Sequence, residues 1–356
     1  MLNRFSAPRR CPVAWLVTLL PWLLTPVAWL LTPVAWLATP ITWLATPIAL
    51  LATPVALLTT PVAWQPADAR TLLVGPTRVL VRPSAAAAVA TDGDTVQIDP
   101  GNYTDCAVWR ANHLTITARS GGDVVLRDRV CQNKGIFVTV GDDITIRGIT
   151  FAGARAPAYN GAGIRAQGAN LTLIDSRFLD NENGVLAAAM PSSTIRVFDS
   201  EFRGNGACVR ECAHGIYVGR TALLDIERSR FVDQHIGHHI KSRALRTVLI
   251  DDTIMDGPDG TSSYLVDLPN GGDLLMRGCV LEKGPNSDNP VVAVTIGEEA
   301  LTNPTRRIEL LGNRFRNDRA QPTVFLRNDT KVSAELTGNQ ISGPVVTVDG
   351  PASVQP

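Results

Sequence analysis

Between His214 and Arg243 the chain reads HGIYVGRTALLDIERSRFVDQHIGHHIKSR, a run that holds four of the five histidines together with Tyr217, Lys241 and Arg243. Histidine and lysine can serve as bases, tyrosine and histidine as acids, and arginine can neutralise a carboxylate. Such a set suits proton abstraction from a carbon beside a carboxyl group. That chemistry needs a base, a cation on the acid group and a proton donor for the leaving oxygen. The candidates lie about two dozen residues apart, so they can cooperate only if the chain returns to the same place at that interval.

A repeat with that interval is present. Two alternating apolar residues are followed by a third, seven positions after the first, at Ile144/Ile146/Phe151, Leu171/Leu173/Phe178, Ile195/Val197/Phe202, Leu224/Ile226/Phe231, Val248/Ile250/Met255, Leu274/Met276/Leu281, Ile308/Leu310/Phe315 and Ala334/Leu336/Ile341. The same frame occurs at Val96/Ile98/Tyr103. Starts are separated by 27, 24, 29, 24, 26, 34 and 26 residues, the range in which one repeat is one structural unit that buries its apolar face only against its neighbours. Period-two alternation between Gly, Asn, Asp and Ser turns predicts short strands with no amphipathic helix between them. Leucine-rich repeats would demand a regular Leu/Asn ladder and propeller blades would be longer. A stack of coils, each giving two or three short parallel strands, fits.

Five residues after each start stands a small or polar residue, Ser176, Ser200, Ser229, Thr253, Cys279, Asn313 and Asn339, with Ile149 the exception. Stacked at a turn, these would satisfy one another along a column, with Cys279 as a member of serine size. An open solenoid end exposes core and strand edges, and Pro83-Ser84 followed by AAAAVA predicts a short capped helix over the first coil. The expected organisation is therefore a hydrophobic segment over 1–69, a linker and capping helix over 70–95, the solenoid over 96–350 and a tail over 351–356.

The stretch SAAAAVATDGDTVQIDPGNY, with the IRVFDSEFRGN and LLDIERSRFVD units, resembles the right-handed parallel β-helix proteins of the pectin-lyase-like superfamily over about residues 78 to 350. HGIYVGR, GHHIKSRA and VDLPNGG are similar to segments of a bacterial subgroup of these helices whose function is not established. The resemblance implies an all-β, single-stranded, right-handed parallel β-helix, a hand that also agrees with the rule for parallel crossovers. It implies little about activity, because the superfamily includes polysaccharide lyases, hydrolases, uronate epimerases, phage spikes and non-catalytic surface proteins.

In such a stack the second strands GIRA, GVLA, GIYVG, HIKSR, YLVDLP and VVAVTI keep Ile164, Val185, Ile216, Ile240, Val266 and Val294 inward. The next residue of each then faces outward, in a column of Arg165, Leu186, Tyr217, Lys241, Asp267 and Thr295, with Arg243 one outward step beyond Lys241 and His214 and His239 flanking. This polar strip suits an acidic polysaccharide, which also repeats along its length. The corresponding reaction is proton abstraction at C5 of a uronate, as in a polysaccharide lyase or uronate epimerase. Lys241 or His239 would be the base and Tyr217 or His214 the acid. Arg165 and Arg243 would bind carboxylates, and Asp267 would close one end of the groove. A lysine base must be neutral, which needs desolvation or nearby cations. The competing reading is a non-catalytic carbohydrate-binding or structural envelope protein, in which these are solvated cross-strand neighbours. His113, His235 and His238 are assigned structural roles.

Cys106 and Cys131 are one coil apart and within disulfide reach if coils stack, while Cys208 and Cys212 could bridge a local loop, leaving Cys279 unpaired. A zinc site from Cys208, Cys212, His214 and His238 or His239 is the weaker alternative, because C-x3-C-x-H is not a standard ligand spacing. The chemistry requires no cofactor. Calcium, which a resemblance to pectate lyases implies, would have only Asp251, Asp252 and Asp256, spaced along a strand and turn.

The start of the chain is of another kind. Arg4, Arg9 and Arg10 precede an uncharged run from Pro12 to Trp64 in which Thr-Pro recurs at 25, 32, 39, 46, 53 and 60. A proline in every heptad excludes a coiled coil. The segment is expected to be an export signal, with Ala67-Asp68-Ala69 as a small-residue cleavage site, or an uncleaved membrane anchor. Either way the polar domain is expected outside the cytoplasm, periplasmic or extracellular. With residues 1–69 set aside, 30 basic and 32 acidic side chains remain of the 33 and 33 in the whole chain, a balance that argues against a nucleic-acid partner.

Overall fold

The computed structural model describes residues 69–356, so the expected signal or anchor over 1–69 lies, but for its last residue, outside the described residues. Among the described residues no helix is long and apolar enough to cross a membrane. Three parallel sheets of twelve, ten and ten strands run the length of the domain, and the chain visits them in turn, once per coil. The first sheet runs from Thr71–Val74 to Ala352–Gln355, the second from Gly101–Tyr103 to Gln340–Ser342, and the third from Ala107–Trp109 to Val345–Asp349. This is an all-β parallel β-helix, as the repeat and the resemblance imply.

The repeat frame maps onto the coil directly. The two alternating apolar residues lie on a first-sheet strand and the third begins the core column of the second sheet, as in Leu171↔Ile195, Leu173↔Val197 and Phe178↔Phe202. Between them the chain must turn, and the corner residue has a left-handed backbone: Gly148, Asp175, Asp199, Arg228, Gly278, Gly312 and Gly338, each four after its start, and Asp251, three after Val248. Glycine adopts that conformation without strain and aspartate tolerates it. The core is aromatic along one line, with Phe151, Phe178, Phe202 and Phe231 stacked at centroid distances of 5.3, 4.5 and 4.4 Å. The third-sheet strands make room for this stack: a Cβ on Gly184 would stand 2.7 Å from the Phe202 ring and 2.4 Å from the Gly215 carbonyl oxygen. Only glycine fits there.

One unit has a different register. Thr247 pairs with Leu224 and Leu274, and Leu249 with Ile226 and Met276, so the core set is Thr247/Leu249/Ile254 rather than Val248/Ile250/Met255. In TVLI every phase is apolar enough to be inward, so alternation alone cannot choose. The turn chemistry decides. With the corner at Asp251, Asp252 enters the buried column in place of Thr253, and its Oδ1 accepts the Ser229 backbone N–H at 2.8 Å. Elsewhere the column is as expected: the backbone N–H of Ser176 donates to Ser200 Oγ, that of Ser200 to Ser229 Oγ, that of Cys279 to Asn313 Oδ1 and that of Asn313 to Asn339 Oδ1. Cys279 is a buried, unpaired member, its thiol pushed up to about 12 by burial.

The solenoid also extends beyond the expected bounds. Thr71–Val74, inside the expected linker, pairs with Thr95–Ile98, and Ala352–Gln355, inside the expected tail, pairs with Ala334–Thr337. A further coil, with Ile116 paired to Val96 and Leu126 to Tyr103, escaped the spacing rule because the turn ARSGGD lengthens the path between its strands. The cap is a helix over Pro83–Ala87 with proline in its first turn and no side-chain cap at Arg82; instead the Ser84 backbone N–H donates to Asp105 Oδ2 at 2.8 Å.

Candidate functional site

The third sheet carries the outward column in the expected order. Arg165 pairs with Leu186, Leu186 with Tyr217, Tyr217 with Lys241, Lys241 with Asp267 and Asp267 with Thr295. These positions are neighbours because each strand starts just after a glycine or turn and runs for only three to five residues, which holds the coils in step.

A groove of about 610 Å³ crosses this face over Leu186, Ala187 and Tyr217. Arg165, Arg210, Arg220 and Arg243 line it with one acid, Glu211. Its walls are two insertions between the second and third sheets. One is the loop holding Tyr159, whose neighbours Ala156 and Gly161 donate backbone N–H groups to Glu182 Oε2 at 3.0 and 2.6 Å. The other is the antiparallel hairpin Ala207–Cys208 and Cys212–Ala213, closed by the Cys208–Cys212 disulfide. The second expected disulfide, Cys106–Cys131, joins neighbouring coils with Cα atoms 5.4 Å apart. With Cys208 and Cys212 bonded to each other, the zinc reading fails. Tyr159, Arg210 and Arg220 were not singled out from the sequence, because they come from turns that the strand alternation does not describe.

Arg165 stands apart from the other cations. It sits between Val138 and Leu186 on the adjoining strands, half buried, and its Nε is shielded from solvent without a hydrogen-bond partner. Burial lowers its pKa, against the pull of Tyr217. No ion pair to it is present among the described residues. Arg243, in contrast, is fully engaged. Its Nε donates to Tyr217 Oη at 2.9 Å, its two terminal nitrogens hold the Glu299 carboxylate at 2.7 and 3.0 Å, and Nη1 also reaches Asn270 Oδ1.

Lys241 lies 3.0 Å from Asp267 Oδ2 and 3.6 Å from Glu299 Oε1. Asp267 is wholly buried beneath the lysine rather than closing the groove, and burial pushes its carboxyl up to about 7 against the pull of Lys241. The ammonium lies off the line of a directed hydrogen bond to Asp267, so the contact is ionic. Lys241 is thus taken up by two acidic side chains of the protein rather than standing free at the groove.

The histidines have been taken up by the scaffold. Asn183, His214, His238 and Tyr264 form a column of successive coils in which Asn183 Oδ1 accepts the His214 backbone N–H, His214 Nδ1 accepts that of His238, and His238 Nδ1 accepts that of Tyr264, at 2.9, 3.0 and 3.1 Å. Accepting at Nδ1 places the proton on Nε2 of each ring. Burial pushes His214 down to about 3, with Lys241 and Arg243 adding to the effect, and lowers His238 well below its usual value for the same first reason. The rings stack at 4.7 Å, and His238 stacks on Tyr264 at 4.9 Å. His239 does not flank the strip. Its strand starts one residue later, at Ile240, and the ring turns into the corner behind, where Nε2 meets Asp256 Oδ1 at 3.0 Å in a buried cluster with Lys283. Neither His214 as acid nor His239 as base has access to the groove: they are 4% and 1% exposed.

No group of three or more His, Cys, Asp or Glu side chains converges to hold a metal ion among the described residues. Asp251, Asp252 and Asp256 diverge: one is exposed at the left-handed corner, one is in the buried ladder, and one faces His239. The residues present do not fit the calcium reading.

The sequence matches no family model and no curated protein. Among solved structures, the pectate lyase Pel9A is similar at 14% identity, covering 78% of this chain and 81% of that one, with a TM-score of 0.45. A pectin methylesterase from Aspergillus niger is 10% identical over 81% of this chain and 86% of its own, with a TM-score of 0.35. A pectin methylesterase solved with a hexasaccharide is 11% identical over 77% and 79%, with a TM-score of 0.34.

Proposed function

We propose that this is an exported protein that binds an acidic polysaccharide across the third sheet, with uronate carboxylates on Arg165 and its neighbours Arg210 and Arg220. The observation that carries this reading is Arg165 itself. A guanidinium held between two apolar residues with an unsatisfied Nε is costly in the free protein, and a ligand carboxylate in the groove is the partner it lacks. With Arg243 paired to Glu299, three further arginines against one glutamate along the groove favour an anionic ligand, and Tyr159 and Tyr217 also line it. Two disulfides and the hydrophobic leader support a location outside the cytoplasm. The test is titration calorimetry with oligomers of galacturonate, mannuronate and guluronate against an uncharged glucan. A uronate oligomer should bind, Arg165→Ala should weaken it at least tenfold, and the glucan should not bind. Equal affinity for charged and uncharged chains, or no effect of Arg165→Ala, refutes the proposal.

One observation favours chemistry in addition to binding. Tyr217 Oη is held by Arg243 Nε at 2.9 Å at the groove edge, so a hydroxyl able to move a proton stands beside a guanidinium that could neutralise a uronate carboxylate once its Glu299 partner gives way. In this reading Tyr217, rather than Lys241 or a histidine, exchanges the proton at C5. A lyase would release unsaturated, ultraviolet-absorbing products and an epimerase would exchange the C5 hydrogen with solvent. Tyr217→Phe would abolish either, while binding persists. Binding without product or exchange leaves the protein as a carbohydrate-binding module.

A further inference from the structure

The binding reading rests on Arg165, and it leaves unexplained a second cationic centre three coils along the same column. Arg243 grips Glu299 with Nη1 on Oε2 at 2.7 Å and Nη2 on Oε1 at 3.0 Å, Lys241 Nζ stands 3.6 Å from Oε1, and Asn270 closes the far side of the guanidinium. Two parallel N–H donors on one carboxylate, backed by an ammonium, is the arrangement with which a protein recognises a free acid group. Here the acid comes from the chain itself, from the turn that follows Val292–Ile296.

Glu299 is poorly placed to be a structural anchor. Its side chain is 43% exposed, and an ion pair so open to water contributes little to stability. Its turn is held without it: Gly297 N–H donates to Leu268 O, Glu299 N–H to Pro269 O and Asn303 N–H to Asn270 O, at 2.9, 2.9 and 3.1 Å. The carboxylate can therefore rotate away while the backbone stays in place. The cations beneath it are much less exposed, Lys241 at 12% and Arg243 at 24%, and Arg243 lines the groove beside Tyr217.

We infer that the Arg243 and Lys241 pair is a second carboxylate subsite, that Glu299 occupies it as a built-in stand-in for a ligand acid, and that an acidic oligosaccharide displaces Glu299 when it binds. The inference depends on the binding reading and deepens it. Three coil steps at ~4.8 Å put the Lys241 level ~14 Å from Arg165, so only a ligand with several acidic residues engages both centres. The acid that replaces Glu299 arrives beside Tyr217, whose oxygen Arg243 already holds through its remaining nitrogen. Glu299 thus makes the wall selective for chains over single acidic sugars, because a chain anchored at Arg165 presents its next acid groups at high effective concentration.

The experiment compares wild type with Glu299→Gln for affinity to a galacturonate hexamer and a mannuronate hexamer. The neutral, isosteric variant should bind whichever hexamer the wild type binds at least fivefold more tightly, with an unchanged melting temperature. An unchanged or weaker affinity overturns the inference while leaving the Arg165 reading intact; wild type that binds neither hexamer removes both. Should Glu299→Gln fold poorly, carboxyl-resolved NMR of wild type decides. Glu299 titrates below its ordinary range because Arg243 is hydrogen-bonded to it, and saturation with hexamer should return it towards that range. A carboxyl that stays depressed in the saturated protein also overturns the inference.

Discussion

Replacing Arg165 with methionine should make the free protein more stable and the ligand complex weaker, a combination that separates a binding residue from a structural one. On the free protein, the guanidinium sits between Val138 and Leu186 with its Nε shielded and unpaired. An unsatisfied buried donor costs ~1–3 kcal/mol. Because the rest of the side chain is only half buried, the gain on replacing it with an unbranched apolar chain of similar length should be ~0.5–1.5 kcal/mol. For a domain of this size that corresponds to a rise of roughly 1–4 °C in melting temperature. In the complex, a charge-assisted hydrogen bond to a carboxylate is worth ~1.5–3 kcal/mol, so affinity for a uronate oligomer should fall ~10- to 150-fold. Melting by circular dichroism and titration calorimetry on the same samples give both numbers. A variant less stable than wild type by 1 kcal/mol or more would show that Arg165 has a protein partner and would remove the reason for placing a ligand carboxylate there.

Two other outcomes follow from buried ionisable groups. His214 has a folded pKa of about 3 against an ordinary value of 6.5, so the folded state excludes a proton that the unfolded chain takes up; stability is fully present above pH 6.5 and is lost as pH falls towards 3, by on the order of a few kcal/mol. His214→Asn keeps an acceptor for the His238 backbone N–H, as Asn183 does one coil earlier, and should flatten denaturation midpoints measured between pH 6.5 and 4; an unchanged slope would place the pH dependence elsewhere. Lys283→Met should cost ~3–5 kcal/mol in urea denaturation, because it leaves Asp256 buried with only His239 and backbone groups to hold its charge, and a cost below 1 kcal/mol would mean that the Lys283 ammonium answers to the Ser262 and Ser263 carbonyls alone.

The repeat made most of the coil legible in advance, because a period of two for faces and of about two dozen for returns leaves few ways to bury Leu171, Leu173 and Phe178 together with their counterparts. It failed at TVLI, where both phases are apolar and the choice fell to Asp251 in the left-handed corner and Asp252 in the ladder. The neighbours Arg165, Tyr217, Lys241 and Asp267 were readable for the same geometric reason that made the fold readable. What each neighbour does was not, since that depends on turns and depth. His214 and His238 became backbone acceptors, His239 turned into a corner against Asp256, and Asp267 sank beneath Lys241.

By itself, then, the sequence determined which residues return to the same wall, because strand alternation and coil length are local properties carried by every unit. Only the tertiary structure decided which of those residues are free to meet a ligand. Glu299, 56 residues after Arg243, has no sequence signal tying it to that guanidinium, and Arg165 shows its missing partner only once Val138 and Leu186 have closed around it. Burial and pairing are properties of the whole packing, and they set whether a lysine, a histidine or an arginine has a charge to offer.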